Sequence, residues 1–399
     1  MGVLLFAVSF AAPLAAPLAT PAGATPTRPA VRTTAPVVIP PPKAWILVDA
    51  SSGAVLDAGN DRTPLPPASL TKLLTAVIAA QTLQPSDVMT VSARAAGEPA
   101  RKIGMKAGEV WTFRDALYCL MLSSANDAAA AIGERIGGTL ENFAAIMASA
   151  GTHLGLADNP VLQDPAGLDD SFSVGGGNLL SARDLAIVAR AALAQPTVAS
   201  VVSTDQYSFV GPDGAHHHLT NHIASYLRSY PGAIGLKPGF TSKAGNGLAL
   251  AARRDGRTLI SVVLDAPDTS ASAIGLLDKG FAMPAGAAGT GDTLPAINLP
   301  ANAITPAAAI AATNAAAAPP PVVHHAAPSG INWLEVGGGV VLLGGPFILA
   351  ITARRREVRR RRARRLAARQ AAIANGAIPL RRTQATAYDA ARERRAAQR

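Results

Sequence analysis

Ser69 and Lys72 stand three residues apart in Ser69-Leu70-Thr71-Lys72, at the head of an apolar run to Ala80 whose composition is helical. That spacing puts both side chains on one helix face. A neutral lysine amine there reaches the serine hydroxyl and can take its proton, which makes a useful nucleophile without histidine. Two common residues at this spacing recur by chance, so the pair alone constrains little. Two further segments sharpen it: Ser124-Ala125-Asn126, about fifty residues on, and Lys237-Pro238-Gly239, about a hundred beyond that.

The chain has 399 residues and a formal charge of +10. The charge is not spread evenly. From Ala353 to Arg399 there are 16 arginines against Glu357, Asp389 and Glu393, a net of +13; the remaining 20 basic and 23 acidic residues leave −3. The basicity is a tail, which argues against a nucleic-acid-binding domain, since that would carry its basic patch on a folded face. Cys119 is the one cysteine, so no intramolecular disulfide can form, and its apolar surroundings, Ala116 to Leu122, make it a core residue.

Residues 1–24 are apolar and alanine-rich, with Ala22-Gly23-Ala24 as a small-residue cleavage site, as in a secretory signal. No lysine or arginine follows Met1 directly, which points to a start further upstream; a plain Ala/Pro-rich leader is the alternative. A Pro-rich stretch, 25–42, leads into a globular segment, 43–283, long enough to bury a sizeable interior. Within it Trp45–Val48 and Ala54–Leu56 flank a turn at Ser51-Ser52-Gly53, and Leu248–Ala252 and Thr258–Leu264 flank Arg253–Arg257, both hairpin signals. Phe113–Ile136 reads as one helical run and Ala273–Phe281 as a closing helix. Residues 284–331 are alanine- and proline-dominated, the composition of a linker. Residues 332–352 carry one charge, Glu335, and are long enough to cross a bilayer. The arginines that follow, in the tail 353–399, place that tail in the cytoplasm and the large domain outside. The expectation is a single-pass protein of the cell membrane, anchored through a C-terminal helix.

Residues 43–283 resemble the serine D,D-peptidases, specifically the low-molecular-mass penicillin-binding D-alanyl-D-alanine carboxypeptidases. Four stretches carry the resemblance: Pro67–Ala76 around the serine–lysine pair, Leu120–Ala129 around Ser124 and Asn126, Asp164-Pro165-Ala166-Gly167-Leu168, and Tyr230–Thr241 around Lys237. Their order matches the family's S-x-x-K, S-x-N and K-T-G motifs. The resemblance implies an α/β fold, an antiparallel sheet flanked by helices, with a helical subdomain that carries the second motif. It implies acyl transfer on peptidoglycan stem peptides, with β-lactams as covalent inhibitors. Ser69 is then the nucleophile, Lys72 its base with a pKa lowered by burial and nearby positive charge, and Ser124 the proton relay. Asn126 orients the substrate amide and Lys237 supplies positive field. Gly239, Phe240 and Thr241 belong to the binding strand, with the backbone N–H groups of Ser69 and Phe240 holding the oxyanion. The resemblance calls for no cofactor and no metal.

Each residue also has a plainer reading: Ser69 a helix cap, Lys72 a solvated helix residue, Ser124 an ordinary helix serine, Asn126 a packing or capping residue, Lys237 the end of a strand. Pro238 departs from the family, which has threonine or serine there to help bind the substrate's terminal carboxylate. Proline lacks both hydroxyl and N–H, though an edge strand accepts it. Losing one charge-assisted hydrogen bond costs about 1.5–3 kcal/mol, roughly ten- to a hundredfold in rate. Thr241 or Ser242 are the candidates to replace that hydroxyl. A weakened homologue that serves as a wall-binding scaffold is therefore a second expectation. A β-lactamase is a third, against which stands the lack of a Glu-x-x-Leu-Asn-like stretch between the second and third motifs. His216-His217-His218 with His222 invites a metal reading, but consecutive residues of a strand cannot all face one ion, and an exposed loop is expected after Gly211-Pro212-Asp213-Gly214.

Overall fold

The computed structural model describes residues 40–298 except 170, 171 and 174. The chain opens with hairpin strands β1 (Ala44–Asp49) and β2 (Val55–Gly59), then a 3-10 turn (Ala68–Thr71) that runs directly into α1 (Lys72–Thr82). The helical part follows: β3 (Val88–Thr90), α2 (Ala93–Ala96), β4 (Val110–Thr112), α3 (Phe113–Leu122), α4 (Asn126–Gly137), α5 (Leu140–Leu154), α6 (Ala182–Ala194) and α7 (Pro196–Val202). A small hairpin, β5 (Gln206–Val210) and β6 (His216–Thr220), and α8 (Ala224–Ser229) lead back to β7 (Ala233–Thr241), β8 (Gly245–Arg254), β9 (Arg257–Leu264) and α9 (Thr269–Ala282).

Five strands form one sheet in the order β2-β1-β9-β8-β7, every pair antiparallel. The hairpin signal around Arg253–Arg257 resolves into a two-residue loop, because Arg254 pairs with Arg257 across Asp255-Gly256. Both loop residues have positive φ, 48° and 76°, as a type I′ turn requires. Residues alternate between the two faces. Ile46, Val48, Ala249, Ala251, Ile260 and Val262 join the core formed with the helices. Leu47, Leu250, Leu259 and Val263 meet Ala273 and Leu277 of α9 on the other face. This is the expected α/β architecture. Helix α1 is buried continuously from Lys72 to Ala79, as a helix apolar on every side must be.

The expected single helix over Phe113–Ile136 is two. Helix continuity needs the Asn126 N–H to donate to the Leu122 carbonyl, but both groups are taken: Asn126 N–H donates to Arg101 O (2.8 Å), and Leu122 O accepts from His222 N–H (3.3 Å). The chain breaks at Ser123–Ala125, with Ser124 at φ 58°. Tertiary partners on distant segments override local propensity here. His216–His218 is strand, not loop. His217 packs its ring against Phe209 (4.9 Å) and Trp111 (5.6 Å), while His218 faces Ser208 (2.8 Å). Among the described residues no cluster of His, Cys, Asp or Glu has the arrangement of a metal site.

Beyond α9 the folded domain continues into the stretch whose composition reads as linker. Thr290 N–H donates to Val55 O, Val55 N–H to Asp292 O and Leu294 N–H to Gly53 O, at 2.8 to 2.9 Å, and Leu294 is buried. Among the described residues no single helix is long and apolar enough to cross a membrane. The signal at 1–24, the span at 332–352 and the tail at 353–399 lie outside the described residues. Because α9 seals one sheet face through fully buried Leu277, Leu277→Ala should lower the free energy of unfolding by about 2–5 kcal/mol in urea titration. A change below about 1 kcal/mol would mean that the sheet does not depend on α9.

Candidate active site

Three segments converge on one cleft of roughly 500 Å³. Ser69 comes from the 3-10 turn, Lys72 from the first residue of α1, Ser124 from the break between α3 and α4, Asn126 from the first residue of α4, and Lys237 from β7. Ser69, Ser124, Asn126, Gly239, Phe240 and Thr241 line the cleft together with Pro238, while Lys72 and Lys237 lie fully buried beneath it. Every residue to which the resemblance assigns a role is thus at this one place.

Lys72 Nζ has three oxygen neighbours: Ala166 O at 2.7 Å, Asn126 Oδ1 at 2.8 Å and Ser69 Oγ at 3.1 Å. The Asn126 amide is oriented by its own nitrogen, which donates to Pro99 O (2.9 Å), so its oxygen faces the lysine. Burial lowers the Lys72 pKa to about 7, opposed by Asp164, Glu98 and Asp127 and reinforced by Arg101. A neutral amine has two N–H donors and one lone pair. Ala166 O and Asn126 Oδ1 only accept, so they take the two donors. The lone pair is left facing Ser69, the one neighbour with a proton to give. The arrangement can deprotonate a serine hydroxyl.

Lys237 is aimed by register. A bulge between Ala233 and Gly235 precedes it, and bulges re-aim the side chains that follow. Lys237 pairs with Ala249 and Gly239 with Gly247, on the sheet face turned to the helices. Lys237 Nζ donates to Pro238 O (3.2 Å), and burial, then Lys72 and Arg101, push its pKa well below the usual lysine range. Gly239 has no Cβ to keep the strand away from the 3-10 turn. A Cβ there would sit 3.1 Å from Pro67 O and 3.2 Å from Ser69 N. Pro238 pairs with Leu248 on the edge strand β7, where a missing N–H is tolerated. Thr241 Oγ accepts from Ala244 N–H (3.0 Å) and so closes the turn to β8. Phe240 is 64% exposed.

The far wall is the loop Asp164–Leu168. Asp164 Oδ1 accepts from the N–H groups of Ala166 (2.9 Å), Gly167 (2.7 Å) and Leu168 (3.1 Å), and Thr75 donates to Pro165 O (2.8 Å). Asn178 ties the loop to the 3-10 turn that carries Ser69, since its amide nitrogen donates to Asp164 O (2.7 Å) and to Thr71 Oγ1 (3.1 Å). This is what delivers Ala166 O to Lys72. Sequence reasoning passed over Thr71 and Asn178, which stand 107 residues apart and follow no local pattern. It also passed over Arg101, and met His222 only as a metal candidate. Both line the cleft. Burial, then Lys237, Arg101 and Lys72, hold the His222 pKa down to about 4, so its ring is neutral at pH 7.

The chain is similar to known proteins over this folded domain. A family model described as D-alanyl-D-alanine carboxypeptidase matches residues 32–268. The D-alanyl-D-alanine carboxypeptidase DacB2 of Mycobacterium tuberculosis is 32% identical over 254 residues, 62% of this chain and 85% of the relative. DacF of Bacillus subtilis is 29% identical over 60% of this chain, which spans 62% of that relative's length. A crystal structure of a D-alanyl-D-alanine carboxypeptidase from Mycobacterium tuberculosis superposes with a TM-score of 0.57 at 31% identity, covering 63% of this chain and 95% of that one.

Gly167 offers a test of how tightly the wall is seated. It has φ +77°, and a Cβ on it would overlap the Ala68 carbonyl oxygen. Gly167→Ala should cost about 1–3 kcal/mol from backbone strain alone, read by urea unfolding. A variant within about 0.5 kcal/mol of the parent would mean that the loop does not rest on the 3-10 turn.

Proposed function

The chain belongs to the D-alanyl-D-alanine carboxypeptidase family, and from that membership we propose that it is a serine-type D-Ala-D-Ala carboxypeptidase that trims peptidoglycan stem peptides through a Ser69 acyl-enzyme. The observation that carries the proposal is the 3.1 Å approach of Ser69 Oγ to a fully buried Lys72.

Ser69 Oγ bonds to the carbonyl carbon of the penultimate D-alanine while its proton passes to Lys72 Nζ. The carbonyl oxygen takes up the negative charge, held by the N–H groups of Ser69 and Phe240. The packing of Gly239 against Ser69 N supports that pairing, because it draws the strand that carries Phe240 to the nucleophile. Collapse breaks the C–N bond, and the departing D-alanine takes its proton from Lys72 through Ser124. Water then adds to the ester, Lys72 takes a proton from it, and Ser69 is released with its hydroxyl restored. A β-lactam enters the same first step and leaves a slowly hydrolysed ester.

The same proposal places the domain outside the cell, held to the membrane by residues 332–352 with the tail 353–399 in the cytoplasm; the support is the hydropathy and arginine pattern of those segments. Pro238 supports one second reading, a homologue that acylates but turns over slowly and serves as a wall-binding scaffold.

The test is to incubate the protein with a fluorescent penicillin beside Ser69→Ala and to assay release of D-alanine from a D-Ala-D-Ala peptide. A label lost in Ser69→Ala, with D-alanine released, is the expected result. A label without release favours the scaffold, and a folded protein without label contradicts the mechanism. Labelling should also slow as pH falls below the Lys72 pKa of about 7, by about tenfold per unit, because protonation removes the base. A rate that stays level down to pH 5 would rule out Lys72 as that base.

A further inference from the structure

A carboxypeptidase must recognise a free carboxylate on the residue it releases, and this chain has lost the hydroxyl expected at position 238. The inference rests on the proposed carboxypeptidase reading. The cleft has no aspartate or glutamate among its lining residues. Its two lysines are fully buried, and burial disfavours their charged forms. Arg101, by contrast, is exposed on the cleft wall, and a guanidinium keeps its charge at any working pH. No carboxylate lies within ion-pair distance of it among the described residues.

Arg101 is also held in place. Its carbonyl accepts from Asn126 N–H (2.8 Å), and two residues earlier Pro99 O accepts from the Asn126 side chain (2.9 Å). The segment 99–101 is therefore clamped at two points to the residue that contacts Lys72. The guanidinium itself lies against His222, with Nη1 3.0 Å from Nε2 and 3.3 Å from Nδ1. A neutral imidazole accepts from Nη1, and Arg101 lines the cleft with the other N–H groups of its fork making no hydrogen bond among the described residues. The planar fork matches a carboxylate.

We propose that Arg101, oriented by His222, anchors the terminal carboxylate of the substrate and so takes over the recognition that a hydroxyl at position 238 would supply. Arg101 would contact the substrate directly, and His222 would act through it as a positioning residue.

The experiment uses the full chain and two donors, diacetyl-L-lysyl-D-alanyl-D-alanine with a free carboxylate and the same peptide with a C-terminal amide. Arg101→Gln should lower kcat/KM for the free acid by about ten- to a hundredfold more than for the amide donor, beyond any loss common to both donors that the lost charge near Lys72 causes. Arg101→Lys should recover part of the loss. His222→Ala should shrink the same acid-over-amide preference less than Arg101→Gln does. Equal losses on both donors, or no loss on either, would overturn the proposal. A parent chain that takes a penicillin label yet releases nothing from either donor would sink the carboxypeptidase reading instead. The anchor is then read from labelling by benzylpenicillin against its methyl ester. A free-acid preference that Arg101→Gln abolishes supports the anchor, and a preference it leaves unchanged overturns it.

Discussion

The site depends on one buried amine. Lys72 is fully enclosed, and taking an ammonium out of water is costly unless it is paired or gives up its proton. Among the described residues no carboxylate is hydrogen-bonded to it. Its neighbours are a backbone carbonyl, an amide oxygen and a hydroxyl, which suit a neutral amine as well as a charged one. Asp164, Glu98 and Asp127 pull its pKa up from further away, while burial pulls it down harder and Arg101 adds to burial. The balance near pH 7 is what a general base needs.

Much of the surrounding architecture serves to keep that amine dry and aimed. Helix α1 is buried through its first eight residues, so its first residue cannot reach solvent. The break before α4 turns Asn126 toward Lys72, and the break exists because Arg101 and His222 occupy the hydrogen-bonding groups that a continuous helix would use. Gly239 lets β7 close over the 3-10 turn that carries Ser69, and the Asp164 loop, pinned by Asn178, supplies the remaining acceptor. These contacts span more than a hundred residues of sequence. A substitution in any of the three segments would therefore be felt at the amine.

The sequence made part of this legible. Alternating and continuous apolar runs marked β1, β8, β9 and α9, since those signals are local. The three motifs marked Ser69, Lys72, Ser124, Asn126 and Lys237, because their chemistry restricts both residue type and order. The helix break at Ser124 was not legible: its cause is hydrogen bonding from Arg101 and His222, which stand 25 residues before and 96 residues after Asn126. For the same reason Asn178 carried no signal, and His216–His218 looked like loop although pairing with Gln206–Val210 makes it strand. The docking of residues 290–294 on the first hairpin was likewise hidden by a composition that resembles linker.

The account turns on Lys72 being the base, and its protonation can be observed directly. The chain would carry 13C-labelled lysine, and the Lys72 resonance, assigned by its loss in Lys72→Met, would be followed by NMR through pH. A midpoint near 7 is the predicted result. A midpoint near the ordinary lysine value of about 10.4 would contradict the account, because Ser69 would then face an ammonium group with no lone pair to receive its proton.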